Sequence, residues 1–179
     1  MFKTKVALAT ILALTGLTAS AQSSGLYAEI GVGTAKYSEP SLSMTPTVFR
    51  GVIGQNLNEN FAVEVLGATG LSEGTTTYSG VGISLKVDSI VGVYITPKVK
   101  VGNAEIFARA GYARSTGSAT LTGSRGSLTL DADGSSPSFG AGVKYHLDKN
   151  SFVSADYMSY YSKDGIDING VTVSYGFNF

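Results

Sequence analysis

The chain has 179 residues, with 13 basic and 13 acidic side chains and no net charge, which excludes nucleic-acid binding through a basic face. It has no cysteine and one histidine, so a disulfide framework, a thiolate zinc site and a multi-histidine metal site are also excluded. Only 15% of the residues are charged, against roughly 25% in soluble globular domains, and 23 are glycine, a composition that favours β structure.

The first segment has the features of a secretory signal peptide. Two lysines precede an apolar stretch over residues 6–17, and Ala19-Ser20-Ala21 fits the small-x-small cleavage rule. The apolar stretch is shorter than the roughly 20 residues that a membrane-spanning helix needs. We therefore predict a cleaved signal peptide over residues 1–21 and one mature domain over residues 22–179.

The rest of the chain alternates apolar and polar or small residues with a period of two, which is typical of β-strands. Helical periodicity is not sustained anywhere in this part of the sequence. The pattern predicts eight strands, over residues 26–33, 48–54, 61–68, 83–95, 105–112, 139–146, 153–158 and 171–179.

The connections between these strands alternate in length. The compact connections are residues 56–60, 96–103 and 147–150, and the mostly longer ones are residues 38–46, 70–80, 115–137 and 162–167. Short turns on one rim and long loops on the other are typical of a membrane barrel. We predict an all-β fold, an eight-stranded antiparallel up-and-down transmembrane β-barrel, with residues 115–137 as a hairpin that extends its wall beyond the membrane.

The charged residues within the strands share one face, which is rich in glycine. A lipid-facing Arg or Lys near the membrane midplane costs roughly 2–4 kcal/mol, so this face is predicted to line the lumen. Four acids and four bases give a neutral interior, which we predict to be a salt-bridge network that plugs the barrel. An ion path through the same charges stays open as an alternative. The eight residues are Glu29, Arg50, Glu64, Lys86, Asp88, Arg109, Lys144 and Asp156.

The last strand ends in Tyr175-Gly176-Phe177-Asn178-Phe179, with aromatic residues at alternate positions. With Gly25-Leu26-Tyr27-Ala28 and residues 55–64 and 140–147, this ending resembles the small bacterial outer-membrane β-barrel proteins of the OmpA and OmpX type, which include porin-like opacity and adhesin barrels. The resemblance implies residence in a Gram-negative outer membrane. It also implies that Tyr175, Phe177 and Phe179 carry a signal read by the outer-membrane assembly machinery.

Three functions are open to such a barrel. We favour a structural or adhesin-like role in which surface loops bind a host or environmental ligand. A narrow porin-like channel for ions or small solutes is the alternative, and a lipid A-modifying enzyme ranks third. An enzyme needs a nucleophile and a base at the outer-leaflet end, whereas His146 is predicted at the opposite rim. We therefore predict no catalytic activity, no metal site and no cofactor.

Lys36 and Arg114 have the parity of lipid-facing residues and lie at the loop ends of their strands. There they are predicted to reach lipopolysaccharide phosphates by charge-assisted contacts. The remaining loop charges are mainly acidic, which disfavours a heparin-like ligand. The predicted partners are thus outer-membrane lipids with lipopolysaccharide, the assembly machinery and a surface ligand, with no nucleic acid.

Overall fold

The structure, a computed structural model, describes residues 25–39, 42–78, 81–123, 126–163 and 165–179. The predicted signal peptide over residues 1–21 lies outside the described residues. In the described ranges, no helix is long and apolar enough to cross a membrane.

Eleven β-strands make up the fold over these residues. They are β1 (Leu26–Thr34), β2 (Lys36–Glu39), β3 (Leu42–Met44), β4 (Thr47–Asn56), β5 (Phe61–Gly70), β6 (Gly74–Tyr78), β7 (Val81–Val101), β8 (Ala104–Gly123), β9 (Gly126–His146), β10 (Ser151–Lys163) and β11 (Ile166–Asn178).

Eight of these strands form a closed ring in the order β1-β4-β5-β7-β8-β9-β10-β11, and β11 pairs back with β1. Every neighbouring pair is antiparallel. The remaining three strands are short and belong to the long loops: β2 and β3 form a hairpin against β11, and β6 pairs with β7. The predicted eight-stranded antiparallel barrel is confirmed.

The two faces of each ring strand differ in the way the alternation predicts. In β5, Val63 and Val65 are 40% and 54% exposed, whereas Glu64 and Leu66 are buried inside the ring. Because the ring is closed, each strand of the wall has a hydrogen-bonded neighbour on both sides, which a lipid environment requires. The apolar outer surface and the polar inner surface therefore come from one sequence pattern.

Two of the turns are capped by side chains at equivalent positions. The Oδ1 atom of Asn58 accepts hydrogen bonds from the N–H groups of Asn60 and Phe61 at 2.8 and 2.9 Å. Asp148 does the same for Asn150 and Ser151 at 2.7 and 2.8 Å. Such Asx turns favour tight reversals, and both lie where the sequence predicts compact connections.

The predicted connection over residues 96–103 is wrong in extent. β7 continues through Pro97 to Val101, and only Gly102 and Asn103 join it to β8. Gly102 has a φ of 62°, the left-handed conformation that a two-residue hairpin turn requires. The proline is tolerated because the ladder with β8 skips its position, passing from Ile95 to Lys98.

Lys86 and Asp88 do not line the lumen, and this part of the prediction is wrong. A β-bulge in β7 shifts the register between Val87 and Ser89, so that Asp88 is an extra residue without a partner in β8. The bulge reverses the alternation, and Val87 and Ile90 both point inward. Lys86 and Asp88 consequently lie outside, with side chains 51% and 42% exposed and an ion pair of 3.7 Å between them.

Beyond the bulge, β7, β8 and β9 continue as a sheet that β6 extends at one side. The sequence predicts long surface loops at this rim and compact turns at the other, so we call this sheet the extracellular sheet and the opposite end of the barrel the periplasmic end. The pairing of β8 with β9 runs without a break to Gly123 and Gly126, which confirms that the predicted hairpin forms and continues the two ring strands. The face that continues the outside of the barrel is polar and carries Lys86, Ser118, Thr120, Thr129 and Asp131, and the opposite face carries Leu85, Val87, Ala119, Leu121 and Leu130. From this reversal of polarity we expect the outer boundary of the membrane to lie near the bulge.

Candidate functional site

Arg109 is the centre of a buried charge network inside the barrel. Its guanidinium forms ion pairs with Glu64 through Nε, with Asp156 at 3.2 Å and with Glu29 at 3.6 Å. These three carboxylates come from β5, β10 and β1, so a single side chain on β8 connects four strands. All four side chains are at most 1% exposed.

Arg50 and Lys144 complete the network. Arg50 donates two hydrogen bonds to the carboxylate of Asp156, one of them at 2.7 Å, in the paired geometry that suits a guanidinium. The ammonium of Lys144 lies 2.6 Å from Glu29 and 4.0 Å from the ring centre of Tyr27, whose hydroxyl donates to Glu64. Three acids and three bases from six strands thus form a neutral cluster.

Neutrality matters because an unpaired charge in such an interior costs several kcal/mol. Each of the six side chains has at least one oppositely charged partner, and none is more than 3% exposed. The network holds distant strands together, since Arg50 on β4 and Asp156 on β10 are not neighbours in the ring. It also occupies part of the lumen with buried side chains.

Inward glycines make room for these long side chains. A Cβ atom on Gly142 would lie 2.5 Å from the Cβ of Asp156 and 2.7 Å from Cζ of Phe107. We expect Gly142→Ala to lower the free energy of unfolding by about 1–3 kcal/mol, because the network must shift to accommodate the methyl group. Gly67→Ala is the matched control, since its Cβ meets no atom within 4 Å, and it should stay within about 0.5 kcal/mol. Urea unfolding in lipid vesicles measures both, and equal losses would contradict this account.

An apolar layer closes the lumen above the charges. Its members are buried side chains from five strands of the ring: Val48, Val52, Leu66, Ile90, Tyr94, Ala113, Met158 and Tyr160. The hydroxyls of Tyr94 and Ser138 lie 3.1 Å apart, so this layer also has an internal polar contact. The charge network and the packed apolar side chains together fill the middle of the barrel.

A second group of charges lies at the periplasmic end and was missed from the sequence. The ammonium of Lys98 lies 3.2 Å from Glu105 and donates to Asn56 at 2.6 Å. His146 lies 3.9 Å from Glu105, at the end away from the extracellular sheet. Glu105 lies on the same face of its strand as Arg109, so its inward position could have been predicted. Lys98 could not, because residues 96–103 were predicted to be a turn. In the described part of the chain, no cluster of acidic, histidine and cysteine side chains could hold a metal ion.

The other residues singled out from the sequence lie on the outside. Arg114 is exposed and pairs with Asp133 at 2.8 Å, and Lys36 is exposed on β2. Tyr175, Phe177 and Phe179 point outward near the periplasmic end of the last strand, and the rings of the first two are 4.8 Å apart. The structure therefore separates them from the charge network.

Comparisons with known proteins agree with this architecture. The profile of the outer membrane protein β-barrel domain matches residues 6–179. No curated protein sequence matches the chain. Similar solved structures include the attachment invasion locus protein Ail of Yersinia pestis in complex with the heparin analogue sucrose octasulfate (TM-score 0.64, 15% identity, covering 86% of this chain and 97% of that one).

Two further structures are similar over nearly their whole length. Neisserial surface protein A has a TM-score of 0.57 and 16% identity, with 87% of this chain and 98% of that one covered. The N-terminal β-barrel domain of OprF from Pseudomonas aeruginosa has a TM-score of 0.54 and 17% identity, with 88% and 100% covered. At these identities the likeness extends to the fold alone.

Proposed function

Because the chain belongs to the outer membrane protein β-barrel family, we propose that it is a closed barrel of the Gram-negative outer membrane that presents its extracellular sheet to a surface ligand. The observation that carries this proposal is the contrast between the filled lumen and the sheet of β7, β8 and β9, which extends well beyond the bulge. Loops and extensions on a rigid scaffold are where binding residues concentrate. The role is thus adhesin-like, with the barrel as anchor.

The chemistry of the sheet favours an uncharged carbohydrate or a protein as ligand. Its outward face presents Ser and Thr hydroxyls, and the carboxylates there, Asp88, Asp131 and Asp133, outnumber the cations Lys86 and Arg114. Ail was solved with a sulfated heparin analogue, but these carboxylates would repel a sulfated ligand here. We therefore propose a ligand that is not polyanionic.

Removal of the hairpin tests this role. Replacing residues 117–132 with Asn-Gly would join Thr116 and Asp133, which already face each other across β8 and β9. We expect the variant to keep the heat-modifiable gel mobility of a folded barrel and to lose adhesion of expressing bacteria to host cells and binding on a glycan array. Single-channel recording should give no steady conductance for either protein. Undiminished adhesion would refute the proposed role, and a steady ion-selective current would favour the channel.

We propose that Lys36 and Arg114 contact lipopolysaccharide phosphates at the outer boundary of the membrane. The pair between Arg114 and Asp133 is exposed and therefore weak, so a phosphate group can compete for the guanidinium. Replacing Lys36 and Arg114 with alanine should remove most of the rise in melting temperature that lipopolysaccharide gives to the wild-type protein. Replacing Lys100 and Lys149 at the opposite end removes the same charge and should leave that rise intact. A rise that survives in the first variant would refute the contact.

We also propose that the barrel is not catalytic, with no cofactor. His146, the one histidine of the sequence, lies at the periplasmic mouth beside Glu105, far from the outer leaflet where a lipid A-modifying enzyme acts. The assembly machinery remains a proposed partner for Tyr175, Phe177 and Phe179, since these side chains are exposed in or directly after the final strand.

A further inference from the structure

A cavity of about 190 Å³, which we call the mouth pocket, lies where the extracellular sheet meets the barrel. One wall is the inner face of that sheet, with Leu85, Val87 and Ala119. The opposite wall is formed by side chains from β2, β10 and β11, namely Tyr37, Tyr161, Ile166 and Ile168. The surface ligand proposed above contacts the outer face of the sheet, so the mouth pocket is a separate site.

The inner face of the extracellular sheet is apolar, although we expect the sheet to stand in water. Leu85, Ala119 and Leu130 lie in one row across β7, β8 and β9, and Leu130 is 52% exposed. Single exposed apolar residues are common on protein surfaces, whereas a continuous apolar surface indicates a binding site.

The mouth pocket ends on packed side chains. Val87 is a member of the buried apolar cluster in the lumen, and Ile168 packs against that cluster. A molecule that enters from the extracellular side therefore meets a filled interior. The pocket is suited to hold a ligand and not to pass it through the barrel.

The walls of the mouth pocket favour a neutral ligand. Two charged residues border it, Lys86 and Asp133. Their side chains are 51% and 60% exposed and form ion pairs with Asp88 and Arg114 on the outer face of the sheet. A charged group inside the pocket would lose hydration without gaining a partner of opposite charge.

Ser115 gives the mouth pocket one polar group that is not yet used. The residue lines the pocket and is 6% exposed, and its hydroxyl has no hydrogen-bond partner among the described residues. A buried hydroxyl without a partner is unfavourable, and nearly all such groups in proteins are paired. A ligand with one hydrogen-bonding group would satisfy it.

The volume of the mouth pocket limits the ligand to about one ring. An apolar cavity of roughly 150 Å³ holds one benzene molecule, and the mouth pocket is slightly larger at about 190 Å³. Tyr37 and Tyr161 favour an aromatic ligand, because rings in offset or edge-to-face contact gain more than the burial of their area. The Tyr37 hydroxyl donates to Glu39, so the polar end of that side chain already has a partner.

We propose that the mouth pocket binds a small neutral molecule built on one aromatic ring, with a single hydrogen-bonding group that pairs with the Ser115 hydroxyl. The ring lies between the inner face of the sheet and the two tyrosines. The barrel thus has two binding surfaces at its extracellular end, a polar one outside the sheet for the surface ligand and an apolar one inside it.

Titration with 4-methylphenol tests the site, and toluene and benzoate serve as comparison probes. The isotope-labelled protein is placed in phosphatidylcholine nanodiscs, and backbone amide shifts are followed by NMR. We expect saturable shifts with 4-methylphenol at pocket residues such as Gly117 and Ile168. Toluene should bind more weakly because it lacks the hydroxyl, and benzoate should give no saturable shifts because it is charged.

Three variants separate the pocket from the bilayer, into which both neutral probes also partition. Ala119→Phe places a ring in the pocket and should remove the saturable shifts. Thr120→Phe adds the same ring to the outer face of the same strand and should bind like the wild type. Ser115→Ala should weaken binding of 4-methylphenol by about two- to tenfold, the equivalent of one hydrogen bond, and leave binding of toluene unchanged.

Several results would overturn the proposal. They are the absence of saturable shifts, undiminished shifts in Ala119→Phe after heat-modifiable mobility has shown that it folds, and binding of benzoate as tight as that of 4-methylphenol. Equal binding of 4-methylphenol by Ser115→Ala and the wild type would overturn the pairing with the hydroxyl. Because Ala119→Phe leaves the outer face of the sheet unchanged, it should retain adhesion, so the two binding surfaces are tested separately.

Discussion

Replacing Arg109 with methionine is expected to lower the free energy of unfolding by about 3–5 kcal/mol, the range for removing one partner from a buried ion pair. The guanidinium contacts Glu29, Glu64 and Asp156, and all of these side chains are almost fully buried. Without it, three carboxylates remain in the lumen against Arg50 and Lys144. The loss is therefore the cost of an uncompensated buried charge together with the contacts that connected four strands.

Lys86→Met is the matched control for this experiment. Lys86 also pairs with a carboxylate, but it lies outside the barrel with a side chain 51% exposed, and such pairs contribute about 0–1 kcal/mol. Urea unfolding of both variants in lipid vesicles gives the two free energies. The chain has no tryptophan, so unfolding is followed by circular dichroism and by heat-modifiable gel mobility instead of fluorescence. A loss for Arg109→Met no larger than that for Lys86→Met would mean that the network does not stabilise the barrel.

The barrel was predictable because lipid and lumen impose opposite polarity on alternate residues. From Phe61 to Ala68 every second side chain is apolar and lipid-facing, and the residue between Val63 and Val65 is a charged one, Glu64. A pattern of this kind fixes which face each residue occupies as long as the alternation is continuous. It therefore also placed Arg109 and Glu29 inside.

The same reasoning failed where the alternation is interrupted. At Asp88 one inserted residue reverses the faces of the upper part of β7, so Lys86 was assigned to the wrong side. The sequence did contain an indication of the bulge, since the predicted alternation put Ser89 on the apolar face and Ile90 on the polar face. A single mismatch of this kind is weak, because a continuous strand and a bulged strand differ locally by one residue.

The partners within the network lay beyond sequence reasoning for a different reason. Parity places Arg50 and Asp156 on the inward face but not at the same depth or opposite each other across the lumen. Their contact joins β4 to β10, strands that are not neighbours in the ring, and depends on the stagger of the closed sheet.

The reversal of polarity at the bulge leads to a prediction about depth. Val93 lies on the outer face of β7, is 58% exposed and pairs with Val65 and Tyr112 in the membrane-embedded wall. Ser118 lies on the outer face of β8 above the bulge, opposite Lys86 and Asp131. We expect Val93→Arg to cost about 2–4 kcal/mol and Ser118→Arg about 0–1 kcal/mol, because only the first places a charge in hydrocarbon.

Reversible unfolding in phospholipid vesicles measures the loss in free energy of unfolding for each substitution. The same two variants in detergent micelles are the control, because a micelle lacks the fixed hydrocarbon thickness of a bilayer. In micelles the difference should shrink, since detergent and water adapt to a charge more readily than a bilayer does. Equal costs in vesicles would place the outer boundary of the membrane above Ser118. The sheet of β7, β8 and β9 would then be part of the embedded wall, with less of its surface available to a ligand.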